Sequence, residues 1–538
     1  MYVKRMHIEG FKRLKTLDIE LDPIFNLIVG NNETGKSTIL EALGLALTGK
    51  YDGRPVQYAI DPYLFNADNV KEFFLKRQDD ENAPPPRILI EAYLHDDDAN
   101  PLLAKLLGTN NTMNENCPGL AFSISVDTDY TQELKEYAAD SSNPTVLPVE
   151  YYRVQWRSFA NEGVTLKALP FRATSIDTSL ARAYWGPNKY LSQVMSSALS
   201  DSQQRQLSLA YKKLQHGFSD EQGVSAINQH LEKQGTPSST NKLSIKMDLS
   251  SRSSWDNAIS AHLGDLPFDC AGKGEQCRIQ LRLAVADASK SRVLLIEEPE
   301  NHLSYSSLNT LLKEIEDDSS HQQVVITTHS AFVLNKLGVN NLKLLSNNGL
   351  TASLTDLSPD TVNYFMKLPG FDTLRLILAS KSILVEGPSD ELIVQRAYKA
   401  KHGKLPLEDG VDVISVRGLA FKRFLEIGAL LKLDVRVVTD NDGDVAAVEK
   451  KYEGYLKSEH PTISICFDKD EEHSTLEPQL LKANSRDTLN TILGQDFKSD
   501  TELLEYMGKS GNKTDCALKM FESTETWNVP GYITNAIE

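Results

Sequence analysis

The stretch "VRVVTDNDGDVAAVEKK" (435–451) ends a β-branched run in three alternating aspartates, Asp440, Asp442 and Asp444. The run itself reads as a strand. Three meanings compete for the acids: a calcium loop, a solvated turn, or a divalent-metal site at the mouth of a sheet. An EF-hand opening at Asp440 needs Gly at its sixth position and a bidentate Glu at its twelfth. Those positions hold Val445 and Lys451, and a lysine there repels the ion. The calcium loop fails, and the other two meanings are decided by the neighbouring sequence.

Upstream, "KSILVEG" (381–387) is a buried-type strand, and "PSDELIVQRAYKA" (388–400) is a helix with Pro388, Ser389 and Asp390 in its first turn. "GVDVISVRG" (410–418) is a further strand, separated from the opening stretch by the helical span "FKRFLEIGALLKL" (421–433). Strands alternating with helices predict a parallel sheet, and ligands gather beyond the C-terminal ends of its strands. Glu386 ends one strand and the Asp440/Asp442 pair ends another, so these carboxylates are expected to converge. Converging carboxylates repel unless a cation neutralises them, and an all-oxygen set favours Mg²⁺ or Mn²⁺ over zinc. Asp444 reads as a plain turn residue.

At the other end of the chain, Gly30-Asn31-Asn32-Glu33-Thr34-Gly35-Lys36-Ser37-Thr38 is a full GxxxxGK[ST] loop between the strand "FNLIVG" and an amphipathic helix. Its glycines let backbone N–H groups wrap phosphates, Lys36 reaches the β/γ-phosphates and Ser37 ligates Mg²⁺. ATP with Mg²⁺ is therefore the expected cofactor here. Far downstream, "SRVLLIEEPENHLS" (291–304) ends an apolar strand in Glu297 and Glu298. One acid placed near Mg²⁺ and one to polarise water is the requirement of a Walker B motif. "CAGKGEQCRIQLRLAVADA" (270–288) is a glycine turn entering a helix, and "QVVITTHS" (323–330) is a strand closing on His329, placed to sense a γ-phosphate. Alone each reads equally as an ordinary turn; in this order behind a P-loop they read together as an ATPase.

Bulk properties bound the rest. A chain of 538 residues is expected to form two or three domains. No apolar run reaches the roughly 18–20 residues of a membrane span, and "MYVKRMHIEGF" lacks a signal-peptide core. The five cysteines are scattered without a CxxC pair, which suits a reducing cytosol and a cytoplasmic protein. A net charge of −17 argues against unspecific adhesion to nucleic acid or anionic membrane, but a local basic surface and bound cations can still meet phosphates.

The ATPase motifs resemble the ABC-type heads of the RecF/SMC class, including the opening "IEGFKRL" and the "EEPENHLS" segment. That resemblance implies two heads sandwiching ATP between one P-loop and the partner's signature loop, with Lys273, Gly274 and Gln276 as signature contacts, Glu297 at the nucleotide's Mg²⁺, and Glu298 and His329 as hydrolytic residues. Two departures weaken hydrolysis more than binding: Gly272 stands where the signature serine belongs, and Glu297 replaces an aspartate. The roughly 230 residues between P-loop and signature show no sustained heptads. Residues 40–165 instead mix strand-like runs ("PRILIEAYL", "GLAFSISV", "VEYYRVQW") with loops. Residues 176–235 ("LARAYWG", "YLSQVMSSALSDSQQRQLSLAYKKLQ", "AINQHLEKQ") read as a helical insertion suited to dimerisation, followed by a loop at "GTPSSTN" (235–241).

A strand ending in Glu ("LVEGPSD") followed by a strand ending in DxD ("TDND") resembles the Toprim domain. An ABC head followed by Toprim on one chain resembles the overcoming-lysogenisation-defect (OLD) family of nucleases, which includes the nuclease subunit of Gabija-type phage defence. The expected fold is α/β: an ABC/RecF-like ATPase head with a helical insertion, then a Toprim α/β domain with a parallel-type sheet. Its expected parts are residues 1–170, the insertion 171–245, the second head segment 246–360, and Toprim 375–538. The resemblance implies Glu386, Asp390, Asp440, Asp442 and Glu477 (from "STLEPQLL") as metal ligands for two Mg²⁺ or Mn²⁺ ions. Lys513 (from "SGNKTDCALKM") would steady transition-state charge. It further implies duplex DNA as substrate, a homodimer or higher homo-oligomer through the ATPase domain, and a helicase-like or reverse-transcriptase component as partner in some members. Arg417, Lys422, Arg423, Lys509 and Lys519 are the basic candidates for gripping DNA. The competing reading is a RecF-like ATP-dependent repair or loading factor with a non-nucleolytic Toprim unit. A primase would bring a cysteine-rich zinc module and a topoisomerase a catalytic-tyrosine domain, neither of which is legible.

Overall fold

Four short apolar runs build the sheet that carries the acidic stretch. In the computed structural model they are β1 (Lys381–Val385), β2 (Val411–Ser415), β3 (Asp434–Val438) and β4 (Ile463–Cys466). They pair in the order β2-β1-β3-β4, every pair parallel, with Lys381 opposite both Val411 and Asp434, and Val435 opposite Ile463. A parallel sheet is covered on both faces, which suits the continuous apolar Ile383–Val385 of β1, while β2–β4 interleave Asp412, Arg436 and Ser464. Ile383, Leu384 and Val385 are all fully buried.

The connections carry the helices: α1 (Pro388–His402), α2 (Phe421–Leu430), α3 (Val445–Lys451), α4 (Leu476–Ala483), α5 (Lys513–Glu522) and α6 (Gly531–Ala536). Helix α1 starts where the sequence predicts, with Pro388 at its first position, and stops at Gly403 in the left-handed region (φ 79°). One core joins Val385, Ile393 and Val394 to Leu480, Met520 and Ile533. Each such side chain contributes about 1.5–3 kcal/mol on burial. Arg375 adds a tie outside this core, its Nε donating to Asp412 of β2 at 2.9 Å and its Nη2 to the Val413 carbonyl at 3.0 Å.

The structure describes residues 1–31, 34–51, 54–77, 83–95, 101–139, 146–166, 169, 173–177, 199–218, 220–234, 244–248, 255, 262–286, 292–301, 303–318, 322–346, 349–354, 357–367, 373–418, 420–456 and 460–538. The chain divides into two compact units: Met1–Met6 with Leu40–Ile326, and His7–Ile39 with Thr327–Glu538. The first holds an antiparallel sheet of Ile88–His95, Cys117–Val126 and Tyr152–Ser158, matching the three strand-like runs. It also holds a parallel pair, Ala173–Asp177 with Val293–Glu297. Helices Asp201–Phe218 and Gln222–Gln234 form within the predicted insertion; "LARAYWG" and "GTPSSTN" lie outside the described residues. The second unit holds the strand Phe25–Gly30, parallel to Leu342–Ser346, in addition to the β1–β4 sheet. Among the described residues no helix is long and apolar enough to cross a membrane.

Candidate metal and nucleotide sites

Glu386 follows β1 directly, and its carboxylate is held toward β3. The Thr439 hydroxyl donates to Glu386 Oε1 at 2.7 Å and the Asp440 N–H to the same oxygen at 3.3 Å. Asp390 sits in the first turn of α1, where the Gly387 N–H donates to its Oδ2 at 3.1 Å. Glu477, in the first turn of α4, is buried, and Lys513 at the start of α5 reaches its Oε1 at 3.0 Å. Four of the five expected ligands thus gather at one sheet edge. Burial first, then the neighbouring carboxylates, push Asp440 up to about 8 and Asp390 up to about 7. For Lys513 burial lowers the pKa, but the hydrogen bond to Glu477 and the surrounding carboxylates outweigh it and raise it.

Asp442 stands apart from this group. It is exposed, on left-handed backbone (φ 50°), with its N–H donating to the Ser474 carbonyl at 3.2 Å. Asp444 caps α3, its carboxylate accepting from the Ala447 N–H at 2.9 Å. Asn441 between them is 3 % exposed and brackets a second loop, donating to the Asp468 and Asp470 carbonyls at 2.8 Å each.

All-oxygen donors with raised pKa values are the chemistry of a site for a hard divalent cation. Among the described residues no three His, Cys, Asp or Glu side chains stand close enough as they are to hold a metal ion. The donor chemistry suits a hard divalent cation: ionised, the carboxylates repel, and a cation would offset that repulsion. A pH dependence follows. Both folded pKa values lie above the ordinary Asp value near 3.9, so the stability they contribute is full below about pH 4 and is lost as pH rises through 7 to 8. Cations need the ionised form. The metal-free protein is therefore expected to melt lower at pH 8 than at pH 6, and Mn²⁺ to raise the melting temperature more at pH 8. Scanning calorimetry with and without Mn²⁺ measures this, and an equal metal increment at both pH values contradicts it.

Two neighbours of the cluster carried no sequence signal. Lys451, at the end of α3, has its ammonium 5.0 Å from the Tyr452 ring centroid and 5.9 Å from that of Phe421. Burial lowers its pKa, against the opposing pull of Glu386 and Asp442. Tyr532 on α6 is buried, and burial together with Asp440, Asp390, Glu386 and Glu477 pushes its hydroxyl well above the usual phenol range. Of the basic candidates, Arg423 and Lys519 have internal partners. Arg423 donates to Thr361 Oγ1 at 3.2 Å and lies over the Tyr364 ring, while Lys519 donates to the Leu493 carbonyl at 2.7 Å. Arg417, Lys422 and Lys509 are exposed.

At the nucleotide loop, Lys36 folds back on its own cradle, donating to the Gly30 and Asn31 carbonyls at 2.9 Å each. A Cβ at Gly30 would lie 2.4 Å from the Leu345 carbonyl oxygen, and Gly35 takes φ 101°, so both positions demand glycine. Thr34 closes the turn on the Asn31 carbonyl, and the helix Lys36–Thr48 begins with Ser37 exposed and Thr38 buried. Asn32 and Glu33 lie outside the described residues. In the same unit, the Thr328 N–H donates to the Ile28 carbonyl at 3.3 Å, setting exposed His329 beyond the strand that feeds the loop.

The first unit carries the residues expected of the signature and Walker B motifs. Glu297 ends its strand and Glu298 follows in the left-handed region (φ 43°), its carboxylate accepting from Asn301 Nδ2 at 2.8 Å. Strain of this kind concentrates at functional sites. Gln276 is buried and donates to the Phe268 and Ala271 carbonyls at 2.9 Å each, so it shapes its own turn. Lys273 and Gly274 open the helix Lys273–Ala286.

A P-loop unit and an acidic parallel-sheet edge on one chain define an ATPase head joined to a Toprim domain. Residues 377–442 match the family model "Overcoming lysogenization defect protein-like, TOPRIM domain". Residues 5–116 match an AAA domain, and 215–335 match "AAA domain, putative AbiEii toxin, Type IV TA system". Over residues 377–442 the chain is thus similar to the OLD-like Toprim family, and over 5–116 and 215–335 to AAA domains. Among curated relatives, the DNA replication and repair protein RecF of Actinobacillus pleuropneumoniae is 35% identical over 72 residues, 12% of this chain and 20% of that one. RecF of Clostridium kluyveri is 38% identical over 76 residues, 14% and 20% of the two chains. The chain thus spans about a fifth of the length of these relatives. Among solved structures, the C-terminal region of the Burkholderia pseudomallei OLD protein is 19% identical, covering 30% of this chain and 96% of that one, with a TM-score of 0.24. The SMC head domain from Thermotoga maritima is 15% identical, covering 64% and 94%, with a TM-score of 0.29.

Proposed function

We propose that the chain is a Mg²⁺- or Mn²⁺-dependent DNA endonuclease whose ATP-binding head regulates or assembles it, acting in anti-phage defence. The observation that carries this is the gathering of Glu386, Asp390, Asp440 and Glu477 at one parallel-sheet edge, with Lys513 on Glu477. Glu386, Asp390, Asp440 and Glu477 would hold the cations, with exposed Asp442 the fifth ligand. Two such ions would supply an activated water and charge neutralisation for in-line phosphodiester hydrolysis. Lys513, held on Glu477 at 3.0 Å, would offset charge building on phosphorus. Lys451, Lys422 and Arg417 give the acidic edge a basic margin for backbone phosphates, which position DNA without reading its sequence. The anti-phage setting is suggested by the OLD-like match. The head's helical insertion is proposed to support a homodimer or higher oligomer. A helicase-like or reverse-transcriptase component is the kind of partner proposed.

The test is plasmid cleavage in Mg²⁺ or Mn²⁺, with and without ATP. The nuclease reading expects cation-dependent nicking or linearisation that Glu386→Ala removes. A RecF-like loading factor with an inactive Toprim unit expects the reverse: Glu386→Ala harmless and Lys36→Ala disabling. Wild-type plasmid left intact in both cations sinks the nuclease reading.

A further inference from the structure

The carboxylate cluster has a neighbour with an unmet hydrogen bond. Tyr532 lies on α6, which packs against β3, β4 and α1, and only 4 % of it is exposed. Its ring is fixed in the core with Val385, Val438, Cys466 and Ala517. Its hydroxyl is buried and, among the described residues, has no hydrogen-bond partner, a rare condition for a polar group. The charges it meets are Asp440 first, then Asp390, Glu386 and Glu477. A neutral phenol is a good donor, and the nearby acceptors are carboxylates whose conformations suit the protein alone. A cation that gathered those carboxylates would turn their oxygens, and one of them could then supply the partner the hydroxyl lacks.

We propose that Tyr532 is a positioning residue of the Toprim site, donating its hydroxyl proton to the outer carboxylate oxygen of Asp440 when the inner oxygen takes a divalent cation. The hydroxyl is then orphaned in the metal-free state and satisfied in the loaded one, so it favours cation binding. This rests on the metal-site reading above. It adds a residue from the C-terminal helix, far in sequence from the Glu386 and Asp440 motifs.

The test uses the full chain and Mn²⁺ alone, with binding read by electron paramagnetic resonance of free Mn²⁺. Tyr532→Phe keeps the ring and deletes only the donor. The expected result is Mn²⁺ binding about 10-fold weaker, the scale of losing a group that orients a metal ligand. The metal-free melting temperature should be equal to or above wild type, since an unsatisfied hydroxyl has been removed. In cleavage assays the half-saturating Mn²⁺ concentration should rise while the rate at saturating Mn²⁺ falls less. Mn²⁺ binding within twofold of wild type overturns the proposal. So does weaker binding accompanied by a lower metal-free melting temperature, which marks a packing role. Asp440→Asn is the control: if wild type and Asp440→Asn bind Mn²⁺ alike, the metal-site reading itself falls, and an unaltered Tyr532→Phe beside a tight wild type overturns the Tyr532 role alone.

Discussion

Asp440→Asn is expected to lower cation-dependent plasmid cleavage by on the order of 10²–10³-fold or more, the scale of deleting one preorganised electrostatic group. The metal-free protein should melt no lower than wild type. The two halves have one cause. Asp440 is half-buried between Glu386 and Asp390, and its carboxyl is pushed up to about 8 because ionising it there opposes both burial and its neighbours. Asparagine has the same shape and never ionises, so the metal-free cluster loses a source of repulsion and its stability should fall less steeply between pH 6 and pH 8. The backbone N–H that donates to Glu386 is unchanged by the substitution. The cost falls on the loaded state, because an amide carries no charge to offer a cation. A residue of structural importance gives the opposite pattern, with lost activity tracking lost stability. Melting curves at pH 6 and pH 8 alongside cleavage rates separate the two, and full cleavage by the Asn variant removes Asp440 from the chemistry.

The acidic edge was legible to different depths. Glu386 and Asp440 follow short apolar runs between helical spans, and a parallel sheet has to bring such strand ends together, so their meeting at 3.3 Å follows from pattern alone. Asp444 reads from the sequence as a plain turn residue, and the structure makes it the cap of α3. Glu477 and Lys513 are different: 36 positions apart, they meet at 3.0 Å only because α4 and α5 pack in the same unit, and no periodicity encodes that. Family likeness supplied them. Lys451 and Tyr532 were missed because a cation held over aromatic rings and a buried phenol look like any helix residues until the tertiary packing is known. Arg423 and Lys519 show the converse. Each reads as a solvated basic residue, yet one is tied to Thr361 and the other to the Leu493 carbonyl. A basic side chain's partner is set by what the fold brings to it. On the ATPase side, the P-loop's demand for glycine was legible, while the left-handed backbone of Glu298 and the turn-shaping bonds of Gln276 were not.

Lys36→Ala is expected to weaken ATP binding by at least about 100-fold and to make cleavage indifferent to ATP, while nucleotide-free cleavage stays near wild type. Lys36 is buried and its ammonium is satisfied by the Gly30 and Asn31 carbonyls. Phosphate replaces neutral acceptors with charged ones, and a hydrogen bond between charged groups is about twice as strong as a neutral one. Alanine removes that gain and leaves the glycine-dictated turn intact, because Gly30, Thr34 and Gly35 set it. The indifference to ATP follows from the lost binding, and a response in the wild type has a continuous path open to it in the second unit. Past His329, Ser330 caps the helix Ala331–Leu337, whose fully buried Asn335 accepts from the Thr373 hydroxyl at 2.8 Å. Two residues on, Arg375 holds Asp412 on β2, the strand paired with β1, and β1 leads into Glu386. Packed continuity makes coupling physically available, and only a measured coupling energy establishes it. Cleavage rates across an ATP titration to millimolar levels, for wild type and Lys36→Ala, supply that measurement. A wild-type rate that does not move with ATP sinks the regulatory role of the head, and a variant that still responds places the responding nucleotide somewhere other than this loop.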